Sequence, residues 1–101
     1  MKTQIKQSGE RMLIKLSGEL DHHYAAGVRR ELDMVIEQKH PRVVELDLSG
    51  LSFMDSSGIG VMLGRYKKLK SMGGEMRVVN VPPKVDKIFQ MSGLYSVITR
   101  G

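Results

Sequence analysis

The chain has 101 residues, the size of one domain, and 41% of them are hydrophobic, which is enough for one modest core. The absence of cysteine excludes disulfide bonds and cysteine-ligated metal sites. The formal net charge of +5 raises the alternative of a nucleic-acid or membrane partner. The basic residues are scattered, form no dense run and have little aromatic interleaving, so we expect neither partner.

Two features of the sequence bear on where the protein works. No run approaches the ~20 apolar residues that cross a bilayer, and residues 1–6 lack the apolar core of a signal peptide. We therefore expect a cytoplasmic protein, and the lack of cysteine agrees with a reducing compartment.

The first segments of the chain are predicted to form a β-hairpin. Residues 3–7 and 12–17 have the composition of strands, and the turn-like residues 8–11 lie between them. Gly18 is expected to close the second strand.

A helix is predicted to begin after Asp21, because its side chain can accept the free amide hydrogens of a first turn. The helix is expected to end near Gln38, before His40 and Pro41. Its apolar stripe consists of residues at helical spacing: Ala25, Val28, Leu32, Val35 and Ile36. Its charged residues are expected to face water: Arg29, Arg30, Glu31, Asp33 and Glu37.

Residues 42–48 predict a strand with one buried face, because Val44, Leu46 and Leu48 alternate with acidic residues. A sheet covered by helices on both faces would show a continuous apolar run instead. We therefore expect the helices mainly on one face of the sheet.

The segment 51–60, LSFMDSSGIG, ends in a predicted helix start at Ser56 or Ser57, and this helix is expected to stop near Gly73. Its apolar residues recur at helical spacing: Ile59, Met62, Leu63, Tyr66 and Leu69. The amides of a first helical turn can hold an anion. A serine placed there can therefore be phosphorylated without disrupting the fold.

A plainer alternative exists for the same segment. Asp55, Ser56 and Ser57 would then only cap the helix, which is a common use of these residue types. Gly58 and Gly60 would only allow tight packing, although two glycines in a first turn each cost about 0.5–1 kcal/mol relative to alanine.

The C-terminal part predicts a strand over residues 75–81, a helix beginning at Pro83 and a short strand over residues 95–99. The helix has an apolar face made of Val85, Ile88 and Phe89. The predicted order is therefore β-β-α-β-α-β-α-β. Strands joined through helices form parallel neighbours, so we expect one α/β domain over residues 1–101 with a mixed sheet.

Few residues have the arrangement of an enzyme site. Asp21, His22 and His23 suggest a metal site, but adjacent residues on a helix diverge and no third ligand lies at a workable spacing. Neither a Gly-x-Ser-x-Gly motif nor a phosphate-binding glycine loop with lysine is present. We expect no catalytic residue, cofactor or metal, and a small enzyme or nucleotide-binding protein is the weaker alternative.

Four sequence blocks resemble the bacterial anti-anti-sigma factors of the STAS-domain family. In chain order they are LSGELDHH at 16–23, LSFMDSSGIGVMLGRYK at 51–67, GGEM at 73–76 and FQMSGL at 89–94. The resemblance covers nearly the whole chain. It implies the STAS fold and a regulator of sporulation-type transcription. The family normally carries a further helix after the last strand, and this sequence ends at Gly101, soon after the last predicted strand.

The resemblance also implies a phosphorylation switch. Ser56, the first serine after Asp55, matches the family's phosphoacceptor, with Ser57 as the alternative. The unphosphorylated form would bind an anti-sigma factor that is also a serine kinase (SpoIIAB-like), and so release the sigma factor. A PP2C-type phosphatase (SpoIIE-like) would remove the phosphate.

Under this resemblance the protein is a substrate of other enzymes and not an enzyme itself. The residues expected to contact the partner are Asp21, Asp55, Ser56, Ser57, Gly58, Ile59 and Gly60. A general-stress anti-anti-sigma factor or another STAS signalling module is the alternative.

Overall fold

Five strands, three α-helices and one 3-10 turn make up the fold, and the computed structural model describes all 101 residues. In chain order the elements are β1 (Lys2–Ser8), β2 (Arg11–Leu20), α1 (His22–Lys39), β3 (Val43–Met54), α2 (Ser56–Ser71), β4 (Glu75–Val79), α3 (Pro83–Ser92), the 3-10 turn (Leu94–Ser96) and β5 (Thr99–Arg100). The predicted order of strands and helices is confirmed.

The strands lie in the sheet in chain order, β1-β2-β3-β4-β5. β1 pairs with β2 in the antiparallel direction, with Ile5 opposite Ile14, and all other neighbours are parallel. The predicted mixed sheet is therefore confirmed. Each parallel connection moves to the next strand in the same direction, so right-handed crossovers place all three helices on one face.

Burial along the strands agrees with this one-sided arrangement. The strand residues that face the helices are almost completely buried: Met12, Ile14, Leu16, Val44, Leu46, Leu48, Met76 and Val78. Their neighbours on the other face, such as Leu13, Glu45 and Arg77, are half-buried or exposed. One cluster of 21 buried hydrophobic residues forms the core, and Phe89 of α3 is among its largest members.

Two strands continue past their predicted ends. β2 runs through Gly18, which has a φ of +106°, to Leu20, and β3 runs through Gly50 to Met54. Register shifts near both glycines add extra residues to β3 relative to β2. A Cβ on Gly50 would lie 2.3 Å from Ser17 Oγ, so this glycine permits close strand approach and does not end the strand.

The last predicted strand is largely wrong. Gly93 ends α3 with a φ of +74°, and a 3-10 turn follows it. The amide of Ile98 still donates to the carbonyl of Leu94 at 3.0 Å, so β5 begins only at Thr99. β4 also ends two residues early, because Asn80 adopts a φ of +54°.

Asp33, which was predicted to face water, is half-buried between α1 and α2, whereas Glu37 is exposed as predicted. Asp33 Oδ1 is 2.8 Å from Nε of Arg65, whose side chain is 10% exposed, and Glu37 pairs with Lys68. These pairs join successive turns of two helices that run parallel to each other. The three α-helices include none that is long and apolar enough to span a membrane.

Candidate functional site

The starts of α1 and α2 lie side by side at one edge of the sheet. Leu20 and Met54, the last residues of β2 and β3, are paired in register. Each is followed by an aspartate, and both Asp21 and Asp55 are the N-cap residues of their helices. The predicted caps are therefore confirmed. Two helix starts with their partial positive charges meet here, each offset by a carboxylate.

Asp55 holds both helices with its two carboxylate oxygens. Oδ1 accepts hydrogen bonds from the amides of Ser57 at 2.9 Å and Gly58 at 3.3 Å, in its own helix. Oδ2 accepts from the amide of His22, the first residue of α1, at 3.1 Å. Asp21 makes only local bonds, since Oδ1 accepts from the two amides that follow His22 at 3.0 and 3.2 Å.

The two serines of α2 differ in their surroundings. Ser56 is exposed at the first position of the helix, and its hydroxyl makes no hydrogen bond within the chain. Ser57 is half-buried, and its Oγ lies 3.5 Å from Nδ1 of His22. The hydroxyl of Ser56 is therefore the more accessible of the two.

The two glycines in the first turns of α2, Gly58 and Gly60, differ in how closely other atoms surround them. A Cβ on Gly58 would lie 2.4 Å from Met54 Cγ and 2.7 Å from the carbonyl oxygen of Leu20. Gly58 is buried, so tight packing inside the fold explains this residue. Gly60 is exposed, and a Cβ there would meet no atom within 4 Å, so packing does not require it.

An aromatic side chain lies beside this edge that no sequence pattern had singled out. Phe53 is 46% exposed, whereas its neighbour Met54 is buried. The alternation of a longer β3 would have placed Phe53 on the open face of the sheet, but the strand was predicted to end at Leu48.

A groove separates α1 from α2 and begins at the two helix starts. This α1–α2 groove holds a cavity of about 390 Å³. Small residues from both helices line it together with polar ones: Ala25, Ala26 and Gly60, then His22, Ser57 and Arg29. No group of three histidine, aspartate or glutamate side chains comes together that could hold a metal ion.

The family of the chain follows from comparison with known proteins. The family model described as STAS domain matches residues 2–100. The chain therefore belongs to the STAS-domain family, as its four sequence blocks had indicated.

Among curated relatives, the chain is 44% identical over 100 residues to the anti-sigma F factor antagonist of Paenibacillus polymyxa, which covers 97% of this chain and 86% of that protein. It is 30% identical over 94 residues to the anti-sigma-B factor antagonist of Bacillus subtilis (strain 168), which covers 93% of this chain and 84% of that protein.

Solved structures of SpoIIAA match the fold and the sequence together. The unphosphorylated form of this anti-sigma factor antagonist matches with a TM-score of 0.85 and 36% identity, over 99% of this chain and 88% of that one. The phosphorylated form from Bacillus matches with a TM-score of 0.76 and 35% identity, over 99% and 91%. This likeness agrees with the resemblance of the four sequence blocks to the anti-anti-sigma factors.

Proposed function

We propose that this protein is an anti-sigma factor antagonist of the sporulation type. Its unphosphorylated form binds an anti-sigma factor that is also a serine kinase (SpoIIAB-like), and this binding releases the sigma factor in the cytoplasm. Two relatives at 44% and 42% identity are both anti-sigma F factor antagonists. The chain spans 86% and 73% of their lengths, so the likeness extends over most of each protein.

The observation that carries the switch is the exposure of Ser56 at the first position of α2. A kinase must reach the hydroxyl that it phosphorylates, and the free hydroxyl of Ser56 meets this requirement. Ser57 is half-buried, and its hydroxyl lies beside His22. Ser56 is therefore the proposed phosphoacceptor, and Ser57 is the second candidate.

Phosphorylation at Ser56 acts on the partner more than on the fold. A phosphate adds about −1.5 to −2 charges at this helix start. The amides of Ser57 and Gly58 are already bound to Asp55, whose carboxylate repels the new anion. The phosphate therefore points outward, where a partner would meet a bulky anion in place of a small hydroxyl. The likeness to both forms of SpoIIAA supports a fold that persists on phosphorylation.

The proposed contact surface surrounds this serine. It consists of the accessible residues of the two helix starts: Asp21, Asp55, Ser56, Ser57, Ile59 and Gly60. Gly58 is left out because it is buried. Asp55 positions the surface by holding both helices, and Asp21 adds a charged contact. A PP2C-type phosphatase (SpoIIE-like) returns the protein to its binding form.

A general-stress role is the second candidate function. Its support is the 30% identity to the anti-sigma-B factor antagonist of Bacillus subtilis. The 44% identity to an anti-sigma F factor antagonist favours the sporulation circuit. Phosphorylation by a general-stress kinase, but not by a SpoIIAB-like kinase, would decide for the second candidate.

Phosphorylation by a SpoIIAB-like anti-sigma factor with ATP tests the proposal directly. Mass spectrometry of the peptide that ends at Arg65 should find one phosphate on Ser56. The phosphate should be lost in Ser56→Ala and kept in Ser57→Ala. Ser56→Asp should abolish partner binding with an unchanged circular dichroism spectrum. Tight binding by Ser56→Asp would contradict the switch, and a phosphate on Ser57 would relocate it.

A further inference from the structure

The α1–α2 groove continues beyond its first cavity. A second cavity of about 620 Å³ follows it along the helices, and Arg29 lines both cavities. The lining of the second cavity is mostly charged: Arg29, Arg30, Asp33, Glu37 and Arg65, with Met34 as the one apolar residue. The groove therefore runs from Ser57 to Arg65, in the middle of α2.

Positive charge exceeds negative charge in this groove. Asp33 pairs with Arg65 and Glu37 pairs with Lys68, so both acidic residues are already engaged. Arg29 and Arg30 are exposed and form no ion pair within the chain. Two guanidinium groups are thus left without a carboxylate.

Arg65 is paired with Asp33 and adds no uncompensated charge, but it lines the same cavity as Arg29. Its side chain is 10% exposed, and its buried Nη1 has no hydrogen-bond partner. Burial lowers the pKa of the Arg65 guanidinium, Asp33 opposes this shift, and the positive charge of Arg29 adds to it. Like charges are therefore crowded in the free protein, and an anionic occupant would relieve their repulsion.

The walls of the groove allow close approach by a peptide. Ala25 and Ala26 on one side and Gly60 on the other carry little or no side chain. A partner segment can therefore lie near both helix backbones while its acidic side chains reach the arginines.

We infer that the α1–α2 groove binds an acidic segment of the anti-sigma factor, a proposal that rests on the proposed function and names the chemistry of its contact. Charge complementarity with Arg29 and Arg30 selects the segment. Ser56 is exposed and directly precedes Ser57, which lines the groove, so a phosphate on Ser56 would repel the same acidic segment. The charges around the groove would then account both for binding of the anti-sigma factor by the unphosphorylated protein and for its release after phosphorylation.

Charge reversal in the groove tests this inference. The affinity of the full chain for a SpoIIAB-like anti-sigma factor is measured for wild type and for Arg29→Glu/Arg30→Glu, with the neutral Arg29→Gln/Arg30→Gln as a second variant. Lys84→Glu/Lys87→Glu on α3 is the matched control, because both lysines are exposed, form no ion pair and give the same change in net charge.

The groove variant should bind at least about tenfold more weakly than wild type, with a shallower dependence on salt. The neutral variant should fall between them, and the α3 control should stay within about twofold of wild type. Thermal unfolding of each variant verifies that it is folded. Equal losses in the groove variant and the control would overturn the inference, as would unchanged binding by the groove variant.

Ser56→Asp in the same series separates the two proposals. Unchanged binding by the groove variant together with lost binding by Ser56→Asp would overturn the groove and leave the proposed function standing. Wild type that fails to bind the anti-sigma factor would overturn both.

Discussion

Asp55 Oδ2 accepts a hydrogen bond from the backbone amide of His22 at 3.1 Å, so the cap of α2 also holds the first residue of α1. The two helices are thereby fixed to each other at their starts, where Ser56 is exposed. At this end the carboxylate of Asp55 adds to the Asp33–Arg65 and Glu37–Lys68 pairs, which join the same helices further along. A partner therefore meets a surface whose parts are already in place.

Replacing Asp55 by asparagine should destabilise the fold more than the same change at Asp21. Asparagine has one acceptor oxygen, and Asp55 uses two, so either the exposed amide of His22 or the half-buried amides of α2 lose their partner, at a cost of about 1–2 kcal/mol. Asp21 uses only Oδ1, and Asp21→Asn should cost about 0.5 kcal/mol or less. Urea unfolding of both variants measures the difference, and equal losses would refute the bridging role.

Alanine at Gly58 should destabilise the protein, whereas alanine at Gly64 should stabilise it. The new Cβ at Gly58 would collide with Met54 and with the carbonyl of Leu20, and such overpacking costs about 1–3 kcal/mol. A Cβ at Gly64 meets no atom within 4 Å. There the helix should gain about 0.5–1 kcal/mol. Thermal unfolding distinguishes the two, and a stabilised Gly58→Ala would contradict the close packing.

Replacing Gly60 by alanine should raise the stability of the protein but weaken its binding to the anti-sigma factor. Gly60 and Gly64 are both helical glycines with open space around them, so each alanine variant should be stabilised by about 0.5–1 kcal/mol. Only Gly60 lines the α1–α2 groove, and a methyl group there should weaken binding to the anti-sigma factor by about tenfold. Titration calorimetry of the two variants compares them, and equal affinities would remove Gly60 from the contact surface.

Tyr95 should make stability depend on pH in the alkaline range. Its hydroxyl donates to Asp86 Oδ1 at 2.5 Å, and burial together with Asp86 raises the pKa of Tyr95 to about 12. Tyrosine in the unfolded chain titrates near pH ~10. The folded protein therefore holds this proton more tightly, and its contribution is complete below about pH 10 and is lost as the pH rises towards 12.

The variant Tyr95→Phe should lack this alkaline loss of stability, which is on the order of 1 kcal/mol. Tyr24→Phe is the control, because that side chain is 39% exposed and makes no hydrogen bond through its hydroxyl. Urea unfolding at intervals between pH 9 and 12 compares the slopes. A slope that survives in Tyr95→Phe would assign the effect to other groups.

Replacing Asp33 alone should lower the free energy of unfolding more than replacing both Asp33 and Arg65. Asp33→Ala leaves a nearly buried guanidinium without its carboxylate, at a cost of about 1–3 kcal/mol. The double variant Asp33→Ala/Arg65→Met should recover most of that loss, because a flexible apolar side chain can fill the space. Denaturant unfolding of the single and double variants checks this, and additive losses would contradict it.

Local chemistry predicted the helix starts well. Asp21 and Asp55 are capping residue types, and the apolar periodicity that follows each needs no knowledge of the rest of the chain. The alternation of Val44, Leu46 and Leu48 likewise predicted a sheet with one buried face. These features depend on residues within one or two turns of each other.

The features that escaped prediction depend on distant residues. Gly50 resembles a strand end until Ser17 is known to lie against it. Arg65 interrupts the apolar stripe of α2, and only its approach to Asp33 explains why it is buried. The second bond of Asp55 requires that β2 and β3 end together, which no single segment encodes.

The two extra residues of β3 make the length of this strand as important as its composition. They bring Met54 opposite Leu20, whereas an unshifted register would place Ser52 there. Deleting one residue between Leu48 and Met54 would turn Phe53 towards the core and draw Asp55 away from α1. Substitution in this segment is therefore far better tolerated than any change in its number of residues, and descendants of the chain are expected to vary here in side chain but not in length.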